Sequence, residues 1–324
     1  MYELFQNPDA VLHEESRNGP VLRLKGVVSV CLLKPWQRVN FCPARDANPF
    51  FHLIEAIAML VGYNSVQLMA YLAKNMASFS DDGVRYNAFY GTRARSDWGD
   101  QLHHAIRILR SQPDSRQAVV QLWDPYDLTK QTKDKACNLS MLFHRSGGQL
   151  CLTSFNRSND AILGGVSGAN IVHLSMFQEY VACALGLPMG PWWHVSNNLH
   201  VYVNEPKWPA LRMAPGEDLY RYDNAELPHS PILKDAVLFD LYAAHLVQEM
   251  LMSIQSGRAL EEPTIHAEPF LAHTVVPVWN AWLERKNGNP VQCEYWLSRI
   301  DAADWRLACY RWYERRLENP NLKS

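Results

Sequence analysis

Cys137 opens an alternating run, Cys137-Asn138-Leu139-Ser140-Met141-Leu142-Phe143, and an Arg-Ser-Gly-Gly turn at 145–148 leads to a second run ending at Phe155. A hairpin made from these runs brings Cys137 beside Asn156-Arg157-Ser158-Asn159-Asp160. A thiol next to a guanidinium is a nucleophile whose pKa a cation can lower. Gly164, Gly165 and Gly168 follow, then Asn170, and finally His200-Val201-Tyr202. A nucleophile, a cation suited to phosphate, a carboxamide and a His/Tyr pair thus share one stretch of chain. A phosphorylated, hydroxylated substrate such as a nucleotide would use all four. Each signal also has an ordinary reading. A cysteine at a strand position is most often a buried small hydrophobe. The glycines lack the lysine and Ser/Thr of a phosphate loop and read better as a backbone bend. His144, His173, His194 and His200 leave a cysteine–histidine protease open.

The elements that must position these groups can be read from periodicity. Residues 21–33 form two short strands broken near Lys25-Gly26, after a turn at Arg17-Asn18-Gly19-Pro20 whose arginine is a solvated charge or an anion ligand. Residues 48–61 form a helix capped by Asn48, with Pro49 at its first position and Phe51, Ile54, Ile57, Ala58 and Val61 on its apolar side. Glu55 falls close to that side, where a partly buried carboxylate would have a raised pKa and could shuttle protons. A second helix covers 65–76, a loop runs from 80 to Tyr90, and a helix covers 100–110. His103 and His104 on that helix point about 100° apart and make a poor metal pair. A turn at 113–117 feeds a strand at 118–123, and a long helix at 172–185 ends at Gly186 and Pro188. Beyond 207 the chain is first proline-rich and irregular, then helical over 233–256 and 275–317. There Trp279, Trp282, Trp296, Trp305, Tyr310, Trp312 and Tyr313 recur at helical spacing, by default as a core stripe.

The totals narrow the class. A chain of 324 residues, 48% hydrophobic and 20% charged, can bury a large core. A formal charge of −2 provides no basic field for nucleic acid. Seven scattered cysteines without a C-x-x-C pair suggest neither a disulfide framework nor a zinc site, and a reducing cytoplasm fits them. The N-terminus does not read as a signal peptide, and the apolar windows are interrupted by Gln178-Glu179 or by Asp240 and His245, so no membrane span is expected.

From Glu14 to about Asn204 the motifs, in order, resemble the thymidylate synthases and the related pyrimidine-nucleotide hydroxymethylases. The likeness rests on Arg17-x-Gly19, Glu55, Tyr90-Gly91, Asp114-Ser115-Arg116, Cys137, Arg157-Ser158-x-Asp160, Leu163-Gly164, Asn170 and His200-x-Tyr202. It implies an α/β (α+β) fold, a mixed β-sheet flanked by helices. Residues 1–206 would be the catalytic core, and 207–324 an irregular linker and helical extension packed on it. It implies a homodimer whose phosphate site is shared between subunits. The substrates implied are a pyrimidine nucleoside 5′-monophosphate and 5,10-methylenetetrahydrofolate, with no metal. By the same resemblance Cys137 adds to C6 of the pyrimidine, and Glu55 and Tyr90 organise proton transfer. Arg17, Arg157 and Ser158 hold the phosphate, with Arg116 arriving from the partner. Asn170 reads the base, His200 and Tyr202 hold the ribose, and Asp160 and Phe79 face the folate.

The chain departs from the synthases at several of these places. The segment 75–82 has no tryptophan, Asn138 follows the cysteine where a histidine is usual, and Gln117 replaces the second arginine after Asp-Ser. Gly168-Ala169-Asn170 replaces Pro-Phe-Asn, Asn197-Asn198 replaces Gly-Asp, and a long extension replaces the short apolar tail. Arg157-Ser158-Asn159-Asp160, Gly168-Ala169-Asn170, Val172-His173-Leu174-Ser175 and Gln178-Glu179-Tyr180 look more like the phage-type enzymes and the CMP hydroxymethylases. The expectation is therefore hydroxymethylation at C5 over reductive methylation, with a narrow lean to a cytidylate over a uridylate. Two other classes remain open: a nucleotide-binding pseudo-enzyme, and an RNA- or partner-binding role for the aromatic C-terminal helices.

Overall fold

The computed structural model describes residues 2–165, 168–213, 222, 227, 233–262, 267–319 and 322. In chain order the strands and helices are β1 (Val11–Ser16), β2 (Gly19–Leu24), β3 (Val28–Leu32), α1 (Pro49–Val61), α2 (Val66–Leu72), α3 (Tyr90–Arg95) and α4 (Gln101–Ser111). There follow β4 (Val119–Gln121), β5 (Asn138–Ser146), β6 (Gln149–Asn156), β7 (Asn159–Asp160), α5 (Ala169–Leu185), β8 (Met189–Ser196) and β9 (Leu199–Tyr202). The C-terminal part comprises α6 (Trp208–Met213), α7 (Ala236–Ser256), α8 (Val276–Lys286), α9 (Pro290–Ser298) and α10 (Ala303–Glu318).

The strands form two sheets, one of order β3-β8-β6-β5-β4 and one of order β1-β2-β9-β7. The β6–β8 and β7–β9 pairs are parallel and the others antiparallel. The hairpin β5–β6 pairs Asn138 with Asn156, so Cys137 and Arg157 lie side by side at its open end. In the larger sheet, Cys31, Trp193, Thr153, Leu142 and Val119 are successive register partners and form one row across it. Cys31, Trp193 and Val119 in that row are exposed.

Helix α1 starts as the sequence requires, with the Asn48 side chain accepting from the Phe51 amide and Pro49 at its first position. The expected single apolar side is not what is found: every residue from Pro49 to Leu60 is buried. The reason is tertiary. α5, which also packs on β6 and β8, packs on α1, and α7, α8 and α10 close on it from the C-terminal part. Phe50 sits between Trp282 and Trp312, with ring centroids 5.3 and 5.5 Å away. Trp279, Trp282, Trp305 and Trp312 are all fully buried, so that stripe is core, while Trp296 and Tyr310 are half-buried.

Other differences are local. The second helix stops at Leu72 and gives way to a 3-10 segment at Lys74–Phe79, α5 begins at Ala169, and the edge strand β1 was not anticipated. The prolines and polar residues of 207–232 contain one short helix, α6; most of the remainder lies outside the described residues. Among the described residues α7 has the length and apolarity to cross a bilayer, with mean hydropathy 1.2. Its Phe239, Ala243, Val247 and Met250 are instead core residues.

Candidate active site

The hairpin end carries the thiol. Cys137 is half-buried, and its Sγ lies 3.7 Å from Arg157 Nη2. Arg157 is held in place by donating to the carbonyls of Ala136 (2.7 Å) and Lys135 (3.1 Å), and its guanidinium lies over the Trp123 ring. Tyr90 Oη accepts from the amides of both Cys137 (3.1 Å) and Asn138 (3.2 Å). That contact depends on Gly91, where a Cβ would lie 2.5 Å from the Met59 backbone. With no side chain there, α3 can abut α1 and deliver Tyr90 to the hairpin.

Burial pushes the Cys137 thiol above its ordinary value. Arg157 and Arg17 pull it down, and Asp134 and Asp160 push it up. The expectation that the arginines would leave the thiol depressed is therefore corrected, because desolvation of the charged form outweighs them in this chain.

The other predicted residues lie on the β1–β2 turn, the 3-10 segment after α2, α1, β7, β9, the start of α5, the turn before β4 and beside Arg157. Arg17 is exposed on the β1–β2 turn and donates to the Lys133 carbonyl (3.4 Å); its neighbour Asn18 donates to Tyr202 Oη (3.3 Å). Arg17, Tyr202 and Phe79 line one cavity of about 780 Å³ with Asn18, Lys133 and Thr132. His200 is buried, joined through Nδ1 to Asn198 Oδ1 (2.9 Å), with its ring edge-on to Tyr202. Asp160 uses Oδ1 to accept from the amides of Ile162 (2.8 Å) and Leu163 (3.3 Å), which holds the bend that precedes α5. The bend needs Gly168, where a Cβ would collide with the Leu163 carbonyl. Burial raises the Asp160 carboxyl.

Asn170, at the start of α5, accepts through Oδ1 from Asn138 Nδ2 (3.4 Å). Asn138, in the place where a histidine is usual in the synthases, therefore tethers the Asn170 amide. Glu55 is buried on α1, with Oε2 2.8 Å from His173 Nε2. Ser158 is half-buried beside Arg157, and Arg116 is exposed on the turn before β4, outside this cluster.

The four candidate histidines each have another partner than the thiol. His194 accepts at Nε2 from Asn156 (2.7 Å) and Asn159 (2.8 Å) and so donates through Nδ1 to Ser154 (2.8 Å). Burial lowers it to about 4, which locks it neutral. His144 stacks on Trp193, His173 faces Glu55, and His200 is held by Asn198. The protease reading loses its base. Sequence reasoning missed the Glu55–His173 contact and the tyrosine Tyr86, whose buried hydroxyl feels the Glu55 charge. The one available signal was that His173 stands one helical turn after Asn170. Among the described residues no three metal-ligating side chains converge.

A mixed α/β fold with a thiol, a guanidinium and an amide at one hairpin end defines a nucleotide one-carbon transferase, and the chain belongs to the thymidylate synthase family. The family model described as thymidylate synthase matches residues 57–215. The deoxyuridylate hydroxymethyltransferase of Pseudomonas phage M6 is 35% identical over 325 residues, covering 97% of this chain and 90% of that protein. The enzyme of the same name from Bacillus phage SP01 is 37% identical over 215 residues, covering 60% of this chain and 56% of that one. Thymidylate synthase from T4 phage shares the fold, with a TM-score of 0.51 at 21% identity, over 66% of this chain and 79% of that one.

Proposed function

We propose that this enzyme 5-hydroxymethylates dUMP, using 5,10-methylenetetrahydrofolate and water. The observation that carries the reading is the Cys137–Arg157 pair, its backbone held by Tyr90, together with the near full-length likeness to a phage deoxyuridylate hydroxymethyltransferase. Arg17, Arg157 and Ser158 hold the 5′-phosphate, His200 and Tyr202 hold the sugar, and Asn170 reads the base. The Cys137 thiolate adds to C6, which makes C5 electron-rich enough to take up a one-carbon unit. Methylenetetrahydrofolate supplies that unit at the oxidation level of formaldehyde. The 780 Å³ cavity that Arg17 and Tyr202 share with the 45% exposed Phe79 would admit the nucleotide and, at its Phe79 side, the co-substrate. Tyr90 and Glu55 move the protons, and Asp160 faces the co-substrate. Deoxyuridylate is preferred to the cytidylate suggested by motif order because the relatives carry it in their names. An amide such as Asn170 complements either base, depending on which end faces it.

The test is to incubate dUMP, dCMP, UMP and CMP separately with methylenetetrahydrofolate, scoring C5-proton release and product mass. The expected result is 5-hydroxymethyl-dUMP without dihydrofolate. Dihydrofolate formed in step with a methyl product would overturn the reading, since only hydride donation oxidises the co-substrate.

The proposal includes a homodimer with Arg116 reaching the neighbour's phosphate. Two features support it: Arg116 is exposed and outside its own cluster, and the row Cys31–Trp193–Thr153–Leu142–Val119 presents an apolar sheet face. Mixing Arg116→Ala with Cys137→Ala subunits should restore up to about a quarter of the activity, because one site in a mixed dimer regains both groups. A mixture as inactive as its parents would remove Arg116 from the site.

A further inference from the structure

We propose that His173 is the positioning residue for the water step: it holds the Glu55 carboxylate as the base for the water that completes the reaction. This deepens the hydroxymethylation reading and rests on it. Glu55 and His173 are both buried, at 7% and 3% side-chain exposure, on two different helices, α1 and α5. Their Oε2 and Nε2 atoms are 2.8 Å apart, yet the contact is not aligned as a hydrogen bond. Glu55 Oε2 and both imidazole nitrogens are buried with no hydrogen-bond partner, and so are the hydroxyl of Tyr86 and Oδ1 of Asn138. Tyr86 feels the Glu55 charge, and Asn138 is joined to Asn170, one turn before His173 on α5. Four residues with unmet polar atoms are thus linked: Glu55 touches His173, Tyr86 feels Glu55, and Asn138 reaches Asn170 on the helix that carries His173. Buried polar groups are almost always paired, and a water or a polar substrate atom beside Glu55 and His173 would satisfy these.

The chemistry requires such a set in one outcome and not in the other. Once the one-carbon unit is on C5 and the co-substrate has left, the pyrimidine carries an exocyclic methylene conjugated to its C4 carbonyl, with Cys137 still on C6. A hydride would complete the methyl group without a base. Water is a weak nucleophile and must lose a proton as it adds. Its oxygen bonds to the methylene carbon, the C5=CH2 electron pair moves to give a C4–C5 enolate, and the proton passes to Glu55. Re-forming the C4 carbonyl and the C5=C6 bond expels Cys137 as thiolate, and no electrons are gained or lost. With Nε2 already 2.8 Å from Oε2, a small rotation of the imidazole would let it donate to Glu55 and aim the other carboxylate oxygen, as second partners do for catalytic groups.

The test uses the full-length enzyme with its nucleotide and methylenetetrahydrofolate, with 2-mercaptoethanol present or absent. The His173→Leu variant should form hydroxymethyl product about 10²-fold more slowly, the scale of a general base put out of place. With 2-mercaptoethanol present it should continue releasing the C5 proton and yield a 5-thioether nucleotide, since a soft thiol adds to the stalled methylene without a base. His173→Gln, which keeps an N–H near Nε2, should recover most of the hydroxymethyl product and suppress the thioether. If His173→Leu slows proton release and product equally and gives no thioether, His173 has no role in the water step. Unchanged product formation overturns the proposal equally. A methyl product from the unmodified enzyme would instead sink the hydroxymethylation reading, and it is seen before any variant is made.

Discussion

Two sets of arginines in this molecule are held in opposite ways. Arg38, Arg93, Arg315 and Arg316 each meet a carboxylate: Arg38 pairs with Glu179, Arg93 with Asp127 (2.7 Å), and Arg315 and Arg316 with Asp46 (2.9 and 2.8 Å). Arg157 meets only two carbonyls, a ring and the Cys137 sulfur, and Arg17 a single carbonyl; among the described residues neither is joined to a carboxylate. The first set is internally neutralised and fastens parts of the chain together: Asp46, for instance, ties α10 to the segment entering α1. The second set carries charge that no carboxylate joined to it balances among the described residues. Guanidiniums oriented by neutral acceptors are ready-made for a phosphate, because no ion pair has to be broken first.

The contrast can be broken most forcefully at Arg38. Arg38→Met leaves the buried Glu179 without its guanidinium and should cost about 3–5 kcal/mol of stability. Denaturant unfolding measures this, and a loss near zero would mean that the pair fastens nothing. Arg157→Ala should do the reverse, lowering kcat/KM by about 10²-fold, the scale of one or two charged hydrogen bonds, with little change in melting temperature. The pH profile sharpens this second case. Arg157 pulls the Cys137 pKa down, so its removal must raise that pKa further. Thiolate then forms only at higher pH, and the rising alkaline limb of activity should move upward, with partial recovery of rate there. A limb that moved downward, or an Arg157→Ala protein as unstable as Arg38→Met, would erase the distinction between the two sets.

Much of the scaffold was legible from local signals. The Asn48-Pro49 start of α1, the β5–β6 hairpin, the turn at Arg17–Pro20 and the bend before α5 all depend on caps, glycines and periodicities within a few residues. The end of α2 was misjudged because apolar residues continue past Leu72 into a 3-10 segment that uses them differently. The one-sided reading of α1 failed because α7, α8 and α10, from the far C-terminal part of the chain, cover its other faces.

The amino-acid sequence alone settled which reactive groups exist, in what order they occur, and that a thiol and a guanidinium would meet at one hairpin end. Those facts are set by spacing within an element or between two adjacent ones. Only the tertiary structure decided that burial outweighs the arginines at Cys137, that Glu55 faces His173, and which arginines are neutralised. A side chain's charge state and partners depend on what distant segments pack around it, and desolvation acts through that packing and not through sequence spacing.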